Sequence, residues 1–148
     1  MSHEVETMAF AGETPWHGLG NPISNDLSPQ QMMEAAGCDW EVAINNNCYP
    51  ADHPFHAGQP IDNSNFIERV SDGEILGHYV AGDYKPVQNS ELFNFFEEFV
   101  ENGSMYLHTA GSLYGGQKVW CMASTKDAFT LDGDDEIVNN LLFTISHT

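Results

Sequence analysis

Between residues 89 and 103, apolar and polar positions divide at helical spacing. At about 100° per residue, Leu92, Phe93, Phe95, Phe96, Phe99 and Val100 share one arc, and Ser90, Glu91, Asn94, Glu97, Glu98 and Glu101 fill the other. Asn89 or Ser90 is placed to cap the start, Glu91 falls in the first turn, and Gly103 suits the left-handed position after the end. The pattern predicts one amphipathic helix over about 89–102. Its phenylalanines, at roughly 1.5–3 kcal/mol each when buried, need a broad apolar surface beneath them. The segments on both sides have the alternation to supply one as a sheet.

Ser28, Pro29 and Gln31 form a capping-box signature with proline at the first helical position, which predicts a short helix over about 28–36 ended by Gly37. Trp40, Val42 and Ile44 alternate with Asp39, Glu41 and Ala43 as a strand, and the run Asn45, Asn46, Asn47 is expected to stop it. Residues 49–64, rich in Pro, Gly, His, Asn and Asp, read as a long surface loop. Residues 66–70 and 75–80 flank Asp72-Gly73 as a β-hairpin. A second hairpin pairs 105–113 with 117–124 around Gly115-Gly116. A two-residue loop there places Met105, Leu107 and Leu113 on one face with Trp120 and Met122, the expected bed for the phenylalanines. Tyr106, His108, Val119 and Cys121 then take the other face. Residues 1–27 show little periodicity, and the acidic run 132–136 reads as a turn. Residues 141–148 have strand composition, and an edge strand there would be open to pairing with another copy. The expectation is a single α+β domain over 1–148: an antiparallel sheet built from hairpins, one main amphipathic helix packed on it, and a short N-terminal helix.

Composition narrows the functional classes. The net charge of −18 arises from 22 acidic residues set against only four cations, Arg69, Lys85, Lys118 and Lys126. Four scattered cations cannot make the basic patch that displaces counterions from phosphates, so direct nucleic-acid binding is not expected. A solvated surface suited to high salt explains the acidity most simply; an acidic surface imitating nucleic acid is the sharper alternative. The three cysteines lack C-x-x-C spacing, which argues against a disulfide framework or a cysteine zinc site and fits reduced thiols in a cytoplasm. There is no apolar run of transmembrane length and no signal-peptide pattern, so no membrane role is expected.

Candidate chemistry is sparse. Trp16 and His17 stand among glycines in a loop-forming stretch, where an aromatic ring and an imidazole can line a binding site. Tyr84 and Lys85 form a polar pair in the connector before the main helix, with Lys85 one of the few cations. Asp52, His53 and His56 are the only metal-like cluster, but Pro54 prevents helical spacing and the site would need further ligands such as His17 or His78. No metal or other cofactor is therefore expected. Nucleophile elbows, phosphate loops, zinc-protease helices and dinucleotide fingerprints do not occur, which points to binding or assembly rather than catalysis.

The opening MSHEVETMAFAGETPWHGLG, the stretch DYKPVQN at 83–89, the phenylalanine-rich helix, TAGSL at 109–113 and the closing ISH at 145–147 resemble, in this order, the phage/plasmid-like protein family of unknown function. The resemblance implies a gene carried by phages, prophages or plasmids and a chain that is the N-terminal half of a longer protein. It transfers no catalytic residue. The functional expectation is a non-enzymatic accessory that contacts a protein partner through Trp16, His17, Tyr84 and Lys85. A single-stranded DNA annealing accessory is the alternative from another class, followed by the nucleic-acid mimic and a metal-dependent enzyme.

Overall fold

The structure, a computed structural model, describes residues 4–12, 18–79, 84–126, 129–131, 135–137 and 139–148. In chain order its elements are β1 (Val5–Ala11), β2 (Asn21–Ile23), α1 (Pro29–Ala35), β3 (Val42–Cys48), β4 (Pro60–Arg69), β5 (Ile75–Tyr79), α2 (Asn89–Asn94), α3 (Glu97–Glu101), β6 (Met105–Leu113), β7 (Lys118–Thr125), β8 (Phe129–Leu131), β9 (Asp135–Ile137) and β10 (Asn140–Ser146). The class is α+β. Five strands form one sheet in the order β10-β7-β6-β1-β2, three form a second in the order β3-β4-β5, and β8 pairs with β9. The larger sheet is antiparallel except for the parallel pair β1–β2. No helix among the described residues is long and apolar enough to cross a membrane.

The helices lie on one face of the larger sheet. Leu92, Phe93 and Phe96 are buried there with Met32 and Met33 from α1, on a bed of Ala9, Leu107, Ala110, Val119, Cys121 and Ala123. Aromatic rings on pleated backbone are thus the main apolar contact of the molecule. Strand β1 lies between β6 and β2 in this sheet, and Met8, Ala9, Phe10 and Ala11 are all buried. A strand covered on both faces shows no period of two, which is why residues 1–27 carry no strand signal in the sequence.

The expected single helix over 89–102 is two short ones. The Phe95 N–H donates to the Glu91 carbonyl at 3.2 Å, but the Phe96 N–H turns to the nearer Phe93 carbonyl at 3.1 Å. That 3₁₀ step tightens the chain before the Val100 N–H returns to the Phe96 carbonyl at 3.1 Å. Burial is skewed to the Phe93 side of the apolar arc. Phe93 and Phe96 are covered, Phe99 and Val100 are half-buried, and Phe95, at one margin of the arc, remains 45% exposed. The Phe95 ring lies against Phe143 of β10 at 4.9 Å and Phe99 at 5.9 Å between centroids.

The bed under the helices also departs from expectation. Hairpin β6–β7 pairs Leu113 with Lys118, Gly111 with Trp120 and Thr109 with Met122, as the sequence predicts. Between Leu107 and Thr109 the register then shifts, so that Leu107 meets Ala123 and Met105 meets Thr125. The extra residue, His108, reverses the parity of everything before it. Met105 and Leu107 consequently share the helix side with Val119 and Cys121, while Leu113, Trp120 and Met122 take the opposite face. On that face Gly111 lies under the Trp120 ring and beside Thr7 and Met8, where a Cβ would overlap them.

The smaller sheet has its own small core of Val42, Ile67 and Leu76, with Trp40 and Ile44 against it. Two expectations are corrected here. The asparagines do not stop β3: Asn45 pairs with Phe66 and Asn46 with Asn65, and the Asn47 amide donates to Ser64 Oγ at 2.9 Å. β3 is an outer strand, so amide side chains satisfy themselves along it without burial. The loop is correspondingly shorter than 49–64, because β4 begins at Pro60.

Candidate functional site

The two sheets meet at a polar junction that closes around Arg69. Its Nη1 donates to Glu6 Oε1 at 2.8 Å and Oε2 at 3.0 Å, and its Nε and Nη2 hold Asp72 at 3.0 and 2.8 Å. The guanidinium lies 5.1 Å from the centroid of the Trp40 ring. Ser112 Oγ donates to Glu6 Oε1 at 3.0 Å and also lies 3.1 Å from Thr7 Oγ1. The hydrogen bond to Asp72, ahead of the contacts to Glu6, holds the Arg69 pKa above its ordinary value, and Arg69 in turn holds Asp72 below its own.

Beside this cluster the chain end is locked in place. The His147 N–H donates to the Gln117 carbonyl at 2.7 Å, and the Gln117 amide donates to the Leu76 carbonyl at 2.9 Å. His147 Nε2 lies 2.8 Å from Asn89 Oδ1, while Asn89 Nδ2 is committed to the Cys38 carbonyl at 2.9 Å. The Asn89 oxygen must therefore accept, which assigns the proton to Nε2. Burial pushes the His147 pKa down from 6.5 to about 4, so the ring is neutral at physiological pH. Its face lies 5.5 Å from Trp40, and β5 passes so closely that a Cβ on Gly77 would overlap the backbone of His147 and Thr148.

Next to the junction an open cleft of about 270 Å³ lies between residues 5–8 of β1 and residues 19–21. Glu6 lines it while bonded to Arg69. The reactive groups nearby are held in unreactive forms. Burial pushes the Cys38 thiol up to about 12 and raises Cys121 as well, so both are protonated at neutral pH. Among the described residues no group of three or more His, Cys, Asp or Glu side chains is arranged to hold a metal.

Trp16 and His17 lie outside the described residues. Tyr84 and Lys85 are exposed in the connector between β5 and α2. That connector is fixed at its far end, where Gln88 accepts from the Val42 N–H and donates to the Val42 carbonyl, both at 2.9 Å. Asp52, His53 and His56 sit in the loop before β4. The two imidazoles stack at 5.4 Å and lie over Tyr49, and His53 Nδ1 accepts the backbone N–H groups of Phe55 at 3.2 Å and His56 at 2.9 Å. His56 Nδ1 lies 3.3 Å from Gln59 Oε1. Those contacts fold the loop on itself. Sequence reasoning missed Glu6, Asn89, Ser112 and His147. The available signal was Arg69, a cation in a strand of a chain with only four.

A domain of unknown function, DUF932, is found at residues 77–148, which run from β5 to the chain's last strand. Neither a curated protein nor a solved structure matches the chain.

Proposed function

We propose that this chain is a phage- or plasmid-borne accessory that works by binding or assembly rather than catalysis, in the cytoplasm of its host. Its partner is a protein, contacted by Tyr84 and Lys85 and by Trp16 and His17. One observation carries the reading: the connector shows Tyr84 at 43% and Val87 at 46% exposure around Lys85, yet its end is bolted to β3 through Gln88. An aromatic and a cation on a pre-ordered segment bind at low entropic cost. The protonated thiols and the neutral, hydrogen-bonded His147 support the non-catalytic half of the reading. The phage or plasmid setting rests on the sequence resemblance.

The test is quantitative affinity purification from host extract with the wild-type chain and a Tyr84→Ala/Lys85→Ala variant of matching thermal stability. A protein retained near stoichiometry by the wild type and depleted at least about tenfold by the variant, a loss of about 1.4 kcal/mol, is the expected result. Equal retention by both chains would overturn the assignment of the contact residues. Retention of single-stranded DNA on filters at low salt would overturn the protein-partner reading itself.

A further inference from the structure

The loop from Tyr49 to Gln59 joins β3 to β4 and is closed at two levels. Its neck is backbone: the Tyr49 N–H donates to the Gln59 carbonyl at 2.9 Å, and the Gly58 N–H returns to the Tyr49 carbonyl at 3.2 Å. Its tip hangs on one side-chain atom. His53 Nδ1 accepts the N–H groups of Phe55 at 3.2 Å and of His56 at 2.9 Å. The Tyr49 ring lies 4.7 Å from that of His53 and 5.1 Å from that of His56, and the two imidazoles stack at 5.4 Å. Between the histidines Phe55 is held out in water at 82% exposure, the highest of any large apolar side chain among the described residues.

We propose that this loop is a proton-operated latch: neutral His53 holds the tip shut and fixes Phe55, and protonation of His53 releases both. A nitrogen that accepts two N–H groups keeps its lone pair, so the ring proton sits on Nε2. With both nitrogens committed, His53 has no lone pair for a metal, and His53 and His56 are not a ligand pair. A second proton enters only at Nδ1, where it turns the acceptor into a donor facing two donors. Both tip bonds are then lost together. His56 answers differently. Its Nδ1 lies 3.3 Å from Gln59 Oε1, an acceptor, so Nδ1 already carries a proton and protonation at Nε2 leaves the contact whole. Among the described residues the rings facing His53 are Tyr49 and His56. Asp52 is the one charged side chain in the loop, and Cys48 and Asp62 flank its neck. A phenylalanine on an ordered tip makes contact at low entropic cost, so the latch makes that contact depend on pH. The loop is separate from the Tyr84–Lys85 connector, and the inference stands or falls without it.

The test is heteronuclear NMR on the 148-residue chain, titrated from about pH 8 to about pH 5. At the alkaline end the imidazole nitrogen shifts of His53 should report a bare Nδ1 and a protonated Nε2. As His53 takes up its second proton, amide protection at Phe55 and His56 should fall together, at least about tenfold, while β6 and β7 keep theirs. His53→Asn puts an acceptor that does not titrate in place of Nδ1 and should keep both amides protected throughout. His53→Phe keeps an aromatic ring and removes the acceptor, so both amides should be unprotected at every pH. His56→Gln should leave the response of the Phe55 amide in place. A protonated Nδ1 at the alkaline end would overturn the proposal. So would tip protection that stays constant while His53 titrates, a loss that coincides with one in β6 and β7, or a pH response that survives in either His53 variant.

Discussion

The two sheets are held in different ways. Among the described residues the larger one buries fourteen in a continuous core, every one an aliphatic, aromatic or sulfur-bearing side chain, contributed by both helices and strands. Among the described residues the apolar core of the smaller one is Val42, Ile67 and Leu76. Three residues at a few kcal/mol each do not support a three-stranded sheet against its ordering entropy. Polar fasteners to the larger unit supply the remainder: Arg69 to Glu6, Gln88 to Val42 and Gln117 to Leu76. One sheet is thus stabilised by area and the other by geometry, and the two kinds of stabilisation respond differently to substitution and pH.

The largest effect is expected from the area side. Phe96, between α2 and α3, is fully buried, and Phe96→Ala should cost about 3–5 kcal/mol in urea unfolding. Phe95, one position earlier and 45% exposed, should lose less than about 1 kcal/mol in the same replacement. Equal losses at the two positions would contradict their difference in burial.

Acid probes the geometric side. His147 is neutral in the folded chain, with its pKa pushed down by burial from 6.5 to about 4. Between those values the unfolded chain binds a proton that the folded chain refuses. Stability present above pH 6.5 is therefore lost as pH falls towards 4, by about 3 kcal/mol in total. Carboxylates titrate near the lower end, so the informative quantity is the difference from His147→Asn, whose stability should be flatter through this window. A wild-type curve that tracks the variant would show that burial of the imidazole does not govern the junction.

Arg69→Met comes next, at about 2–3 kcal/mol, because it strands the Glu6 carboxylate beside Ser112 without its cation. Hydrogen exchange should quicken in β3, β4 and β5 while β6 and β7 stay protected. Uniform acceleration would mean that the two sheets are one cooperative unit.

The area side was largely legible in the sequence and the geometric side was not. The capping box at Ser28 and Gln31 forms as expected, and both hairpins fall where alternation and turn residues place them. Local rules suffice for such elements. The bulge at His108 is invisible to them, since no residue type announces an inserted position, and its effect on parity moved Trp120 and Met122 to the far face. The junction failed for another reason. Glu6, Asn89, Ser112 and His147 lie far apart in the chain, and each alone reads as an ordinary strand or cap residue. Only the fold brings them together.

Gln88→Ala gives the smallest and most local comparison. Gln88 forms two hydrogen bonds to Val42 from one side chain, and its own N–H is held by Glu91 Oε2 at 2.7 Å, so α2 and β3 are joined at this residue. Alanine keeps the backbone contact and removes only the two bonds to Val42. Neutral bonds of this kind contribute about 1 kcal/mol each, so about 1–2 kcal/mol is expected. The location of the loss matters more than its size. Val42 is half of the pair that begins β3, opposite Arg69. Without the clamp, exchange should quicken first at residues 42–44 and then along the connector at 84–87, with the α2 amides beyond Glu91 unchanged. If α2 loosens equally, Gln88 acts as a helix cap and not as a fastener, and the smaller sheet depends on Arg69 and Gln117 alone.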